Sequence, residues 1–99
     1  MEVDSVLEER EEVSLAVTFP SAHPIYGEEV HCAVVLHDKY RSIPPAEIEK
    51  TIDKHCREKL PEYARPKKIH VVEDVPRTAT GKIQRRIVAA HFASLPAKL

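Results

Sequence analysis

The stretch VSLAVTFPSAHPIYGEEVHCAVVL, residues 13–36, carries the reading on which the fold turns. Val13, Leu15, Val17 and Phe19 alternate with Ser14, Ala16 and Thr18, the period-two pattern of a half-buried strand. Pro20 to Gly27, punctuated by Pro20, Pro24 and Gly27, reads as a loop. Val30, Cys32, Val34 and Leu36 then mark one face of a second strand. Its other face carries His31, Ala33, Val35 and His37, so this strand is apolar in the middle on both sides.

Outward from this pair the pattern turns helical. Val3 to Arg10 reads as the tail of a helix, with Val3, Val6 and Leu7 on one side and acids on the other. Downstream, Pro44 and Pro45 suit a helix start, where a missing N–H costs nothing. Ile48, Ile52, Cys56 and Leu60 follow at four-residue spacing, an apolar stripe. Asp53–Arg57 and Lys54–Glu58 are opposite charges four apart on the outer side, and Pro61 ends the helix. Lys68 to Glu73 is a short third strand with Ile69 and Val71 facing one way. A last helix is expected to place Ile83, Ile87 and Ala90 on one face. The order α-β-β-α-β-α predicts an α+β fold, a small sheet with helices packed on it.

Composition sets the limits. Ninety-nine residues, 42% hydrophobic and 31% charged, make one domain with a modest core. Five Phe and Tyr residues and no Trp leave little aromatic mass for a roomy ligand cavity. No apolar run approaches the ~20 residues that span a bilayer, and the acidic N-terminus does not read as a signal peptide. Cys32 and Cys56 suggest neither a disulfide framework nor a metal knuckle, which fits a reducing compartment. The six histidines have no chelating spacing, so no metal site is expected.

Net charge is −1, but residues 1–50 hold 11 acids and 4 bases, and residues 51–99 hold 5 acids and 11 bases. Such polarity suits an anionic partner, or halves that attract one another. Seven bases fall between Arg65 and Arg86, yet that window has no aromatic residue for base stacking. Nucleic acid is not the expected partner.

Pro76 to Arg86, PRTATGKIQRR, reads as chemistry: Lys82 follows Gly81 on a threonine-rich turn. It is not a phosphate loop of the Walker type, because Pro76 stands where that loop needs glycine and Ile83 where it needs Ser or Thr. What remains is a mobile ammonium suited to neutralising a transferring phosphoryl or acyl group. By residue type alone, a surface lysine in a strand-to-helix turn is the commoner outcome.

These residues resemble the last motif of the AMP-forming acyl-CoA synthetases, the adenylate-forming superfamily that includes firefly luciferase and 4-coumarate–CoA ligase. Pro76, Arg77, Thr78, Thr80, Gly81 and Lys82 satisfy that motif's Pro-(Lys/Arg)-Thr-x-(Ser/Thr)-Gly-Lys. Further matches come in the expected order. Glu2-Val3 resembles the family's P-x-E-V-E helix start, and Val13–Phe19 its V-x-x-A-V-V-G strand. Tyr26-Gly27-Glu28-Glu29-Val30 is similar to its Y-G-E-E-V turn, and Tyr63-Ala64-Arg65-Pro66-Lys67 to its Y-K-x-P-K. Pro20-Ser21-Ala22-His23-Pro24 departs from the usual V-P-D turn. The segment KIQRRIVAAHF, through Phe92, looks most like the peroxisomal branch near 4-coumarate– and oxalyl–CoA ligases.

The resemblance implies a fold and a role. Residues 1–96 would form the C-terminal lid domain, a small, mostly antiparallel three-stranded sheet flanked by helices. The lid rotates over a larger N-terminal adenylation domain, its expected partner, which holds most of the Mg-bound ATP. In one orientation Lys82, with Thr80 and Gly81 in the same loop, would serve acyl-adenylate formation. In the other, a different face helps form the coenzyme A tunnel. Arg57 matches the offset of an arginine that contacts CoA phosphate in acetyl-type members. By itself the chain is expected to be inactive, because the adenylation domain, with its acyl pocket, lies upstream. The competing reading is a stand-alone interaction or regulatory module with the same fold. Ala97-Lys98-Leu99 resembles the Ser-Lys-Leu signal read by the peroxisomal import receptor at a free C-terminus, so a peroxisomal location is expected, with the cytoplasm as the alternative.

Overall fold

A computed structural model describes residues 3–23, 25 and 27–93. Helix α1 spans Val3–Glu8, strand β1 Val13–His23, strand β2 Gly27–Leu36, helix α2 Pro45–Lys59, strand β3 Lys68–Val72 and helix α3 Arg85–Ala93. Short 3₁₀ turns at Asp38–Tyr40 and Glu62–Ala64 flank α2. The sheet has the order β1-β2-β3. β1 and β2 form a long antiparallel hairpin, and β3 joins β2 in parallel through the α2 crossover. The sheet is therefore mixed, with the antiparallel pair the longer part.

Helices cover both faces. On one, Leu7 of α1 and Ile48, Ile52 and Cys56 of α2 pack with Ala16, Cys32 and Val34. On the other, Val88 of α3 and Val75 of the β3–α3 connection pack with Val17, Phe19, Ala33 and Val35. The α2 stripe runs as its spacing predicts, with Leu60 completing it. Of the two expected charge pairs on α2, Arg57 Nε donates to Asp53 Oδ2 at 2.9 Å. No hydrogen bond or ion pair joins Lys54 and Glu58 among the described residues.

Three expectations need correction. β1 is not half-buried with one apolar face. A register shift between Val13 and Leu15 turns the strand, so Val13 and Ala16 enter the first core while Leu15, Val17 and Phe19 face the second. Second, the segment from Pro20 is strand rather than loop, pairing Pro20 with Val30 and His23 with Gly27. The N–H groups of Ala16 and Thr18 point away from β2 to α1, where Glu8 and Asp4 accept them. Pro20 continues that row of the edge strand, so its missing N–H leaves nothing unpaired. Third, α3 begins at Arg85, after Ile83, and buries Val88 fully, with Ala89 and Phe92 beside it. Ala90 is exposed.

The Pro24 and Tyr26 motif positions, Glu2 and the Ala97-Lys98-Leu99 tail lie outside the described residues.

Candidate functional site

The connection from β3 to α3 is tied down at both ends. Val75 is buried, and its N–H donates to Asp74 Oδ1 at 2.8 Å. At the other end Ile83 packs against the second core. Between them the chain makes a tight turn: Gly81 N–H donates to Thr78 O, and Thr78 N–H donates to Lys82 O, each at 2.8 Å. Gly81 has φ +83°, a left-handed conformation that a side chain resists. The threonines brace the turn from within. Thr78 Oγ1 accepts the Lys82 N–H at 3.2 Å and lies 3.0 Å from Thr80 Oγ1.

Lys82 stands exposed on this turn, and its ammonium has no hydrogen-bond or ion-pair partner among the described residues. A braced backbone thus presents a free point charge at the end of a flexible stem. Thr80 and Gly81 sit beside it, as the motif requires.

Arg57 lies elsewhere. It occupies the last turn of α2, which packs on the first core, whereas Ile83 beside Lys82 packs on the second. The two candidate residues therefore lie on opposite sides of the sheet and do not converge. Arg57 is exposed, paired with Asp53, and its carbonyl accepts from Arg65 Nη2 at 3.2 Å.

A second group was invisible in the sequence. Parallel pairing of β2 with β3 sets His31 beside His70, with His31 Nδ1 3.2 Å from His70 Nε2. His31 Nε2 donates to Glu29 Oε1 at 2.8 Å. In neutral His31 that donation makes Nδ1 the acceptor, so His70 Nε2–H is the donor between the rings. Phe92 stacks on Phe19 at 5.0 Å, and the His70 ring lies 4.7 Å from Phe92. These rings wall a hollow of about 350 Å³ that Pro20, Ser21 and Glu28 also line. Burial, reinforced by the charges of His31 and Lys68, pulls the His70 pKa down to about 4. Histidine spacing along the chain could not reveal this, because the pairing joins strands separated by a whole helix.

No cluster of three or more His, Cys, Asp or Glu side chains is placed to hold a metal ion among the described residues. Cys32 and Cys56 are free and buried in the first core. Burial raises both thiol pKa values, that of Cys56 to about 11.

Comparison with known proteins gives this geometry a context. The family described as the AMP-binding enzyme C-terminal domain matches residues 2–82. The chain is 38% identical over 96 residues to the oxalate–CoA ligase of Arabidopsis thaliana, covering 97% of this chain and 18% of that protein. It is 34% identical over 93 residues to the oxalate–CoA ligase of Saccharomyces cerevisiae, covering 94% of this chain and 16% of that one. Among solved structures, an acyl-CoA synthetase of Brucella canis superposes with a TM-score of 0.78 at 27% identity, over 92% of this chain and 16% of its own. The chain thus spans less than a fifth of the length of these relatives.

Proposed function

The chain belongs to the AMP-binding enzyme C-terminal domain family, and from that premise we propose that it is the mobile lid of an ATP-dependent, AMP-forming acid–CoA ligase. Lys82 is the residue it brings to the first half-reaction. There a carboxylate oxygen attacks the α-phosphate of ATP, a new O–P bond forms, the bond to the bridging oxygen breaks, and pyrophosphate leaves. Two anions must meet for that step. A cation that arrives only when the lid closes screens their repulsion and gates the chemistry.

In the second half-reaction the CoA thiol gives up its proton to solvent and attacks the acyl carbonyl, a C–S bond forms, the acyl C–O bond to the phosphate breaks, and AMP leaves. Arg57, on the far side of the sheet, serves the CoA phosphates in that orientation. ATP with its Mg²⁺, and the acid, bind chiefly to an N-terminal adenylation domain. For location we propose the peroxisome, because Ala97-Lys98-Leu99 resembles the address that the import receptor reads in the cytosol before uptake.

One observation supports the reading above the others. Lys82 is exposed and unpaired among the described residues, yet its backbone is held by Thr78, Gly81 and a half-buried Ile83 side chain nearby. A surface lysine with no task needs no such bracing.

The test is a ligase in which this chain replaces the matching C-terminal segment of the Arabidopsis oxalate–CoA ligase. Lys82→Ala in that protein should lower ATP–pyrophosphate exchange by about a hundredfold or more. Thioester formation from supplied acyl-adenylate should largely survive. Equal loss of both half-reactions would count against the role given to Lys82. Absence of both half-reactions even with Lys82 in place, in a chimera that folds, would favour the non-catalytic module.

A further inference from the structure

Arg85 opens α3, three residues after Lys82, with Arg86 beside it and no acidic residue in that first turn. A cation at a helix N-terminus works against the helix dipole. Arg85 is thus not placed there for the benefit of its own helix. Its side chain instead reaches the outer edge of β1. There Nη1 lies 2.6 Å from Asp4 Oδ2, donates to Thr18 O at 2.9 Å and meets Thr18 Oγ1 at 3.2 Å.

Asp4 completes the arrangement from α1. Its Oδ1 accepts the Thr18 N–H at 2.8 Å and the Thr18 hydroxyl at 2.7 Å. The hydroxyl proton is therefore committed to Asp4, and the Thr18 oxygen is free to accept from Arg85. One carboxylate, one hydroxyl and one guanidinium tie together α1, the edge strand and the start of α3. The Asp4 side chain is 15% exposed and that of Arg85 47%, so the carboxylate end of the bridge is the sheltered one. This contact also joins the acidic and basic halves of the chain.

We infer that Arg85, held by Asp4 and Thr18, is a positioning residue that clamps the downstream end of the Lys82 turn to α1 and β1. Ile83 anchors the same segment by apolar contact, and the polar clamp fixes the direction in which the turn leaves the sheet. The lysine then needs to order only its own side chain when it meets its anions. This inference rests on the adenylation role of Lys82, since a turn without a task has no use for positioning.

The experiment compares the 99-residue chain with Arg85→Gln, Arg85→Lys and Asp4→Asn by ¹⁵N relaxation and amide hydrogen exchange. In Arg85→Gln, order parameters of Ala79 to Lys82 should fall. Exchange at the Thr78 and Gly81 amides should quicken by about tenfold, as expected for one lost charge-assisted bond. Amides of β2 from Cys32 to Leu36 should stay protected. Arg85→Lys, which keeps the charge but loses the fork, should restore part of the order. Asp4→Asn should loosen the same turn, and if it does not fold, Arg85→Gln still decides, because it breaks the bridge from its exposed end.

An unchanged turn in Arg85→Gln, or uniform loosening of turn and sheet alike, would overturn the clamp. The adenylation role fails separately: a looser turn in Arg85→Gln, with exchange activity indifferent to Lys82→Ala in the ligase, would leave the clamp standing and remove its purpose.

Discussion

His31 Nδ1 and His70 Nε2 meet at 3.2 Å across the parallel pair of β2 and β3, with Glu29 holding the far nitrogen of His31 at 2.8 Å. Burial disfavours the charged form of His70, and the neighbouring His31 and Lys68 add to that penalty, so its pKa falls to about 4.

The sign of the resulting pH dependence follows. Unfolded, a histidine titrates near 6.5, so as pH drops from about 6.5 to 4 the unfolded chain takes up a proton at this position before the folded chain does. Stability therefore rises with pH through that window and is lost on acidification. Glu28, Glu29 and Lys68 face the same hollow or strand end and modulate the size of the effect. Urea unfolding between pH 7 and 4 should show the decline. His70→Phe, which keeps the ring among Phe19 and Phe92, should flatten it, and an unaltered slope in that variant would assign the acid sensitivity elsewhere.

Cys32 and Cys56 should resist alkylation. The thiolate is the reactive form, both groups are buried, and Cys56 holds its proton to about pH 11. At pH 8 the native chain should react with iodoacetamide far more slowly than the urea-unfolded chain. Fast labelling of either cysteine under native conditions would mean that the first core opens more readily than its packing implies.

Gly81→Ala should destabilise through the backbone alone, because a Cβ there meets no atom within 4 Å. A left-handed φ costs an L-residue roughly 1–2 kcal/mol, which for a domain of this size lowers Tm by about 4–8 °C per kcal/mol. Asn tolerates that conformation better, so Gly81→Asn should cost less. Calorimetry of the three proteins gives the ranking, and equal losses for Ala and Asn would point to a cause other than φ.

Arg57→Ala should leave stability within about 1 kcal/mol of the parent, since its pairing with Asp53 is an exposed ion pair. In the chimeric ligase the same change should raise KM for CoA and leave ATP–pyrophosphate exchange unaltered. A loss of exchange would place Arg57 in the first half-reaction rather than the second.

The α2 stripe of Ile48, Ile52, Cys56 and Leu60 was legible because burial of one helix face leaves a four-residue period that needs no knowledge of what covers it. The Gly81 turn was legible because positive φ has few tolerant residues. Both elements form as read. The last helix was harder. Ile83 lies before the first turn and packs from an irregular segment, so a periodic reading that counted it assigned the face to Ala90 instead of Val88.

The sequence by itself determined the α-β-β-α-β-α order, the motif around Lys82 and the family, all of which are carried by neighbouring residues. Tertiary structure alone decided that helices cover both faces of the sheet, that Pro20 continues β1, and that His31 meets His70. It also brought Arg85 to Asp4 at the outer edge of β1. The reason is physical. Local periodicity records whether a residue is buried, but a strand buried on both faces loses its alternation. A contact between distant segments leaves no local period at all, because register and crossover create it only when the chain folds.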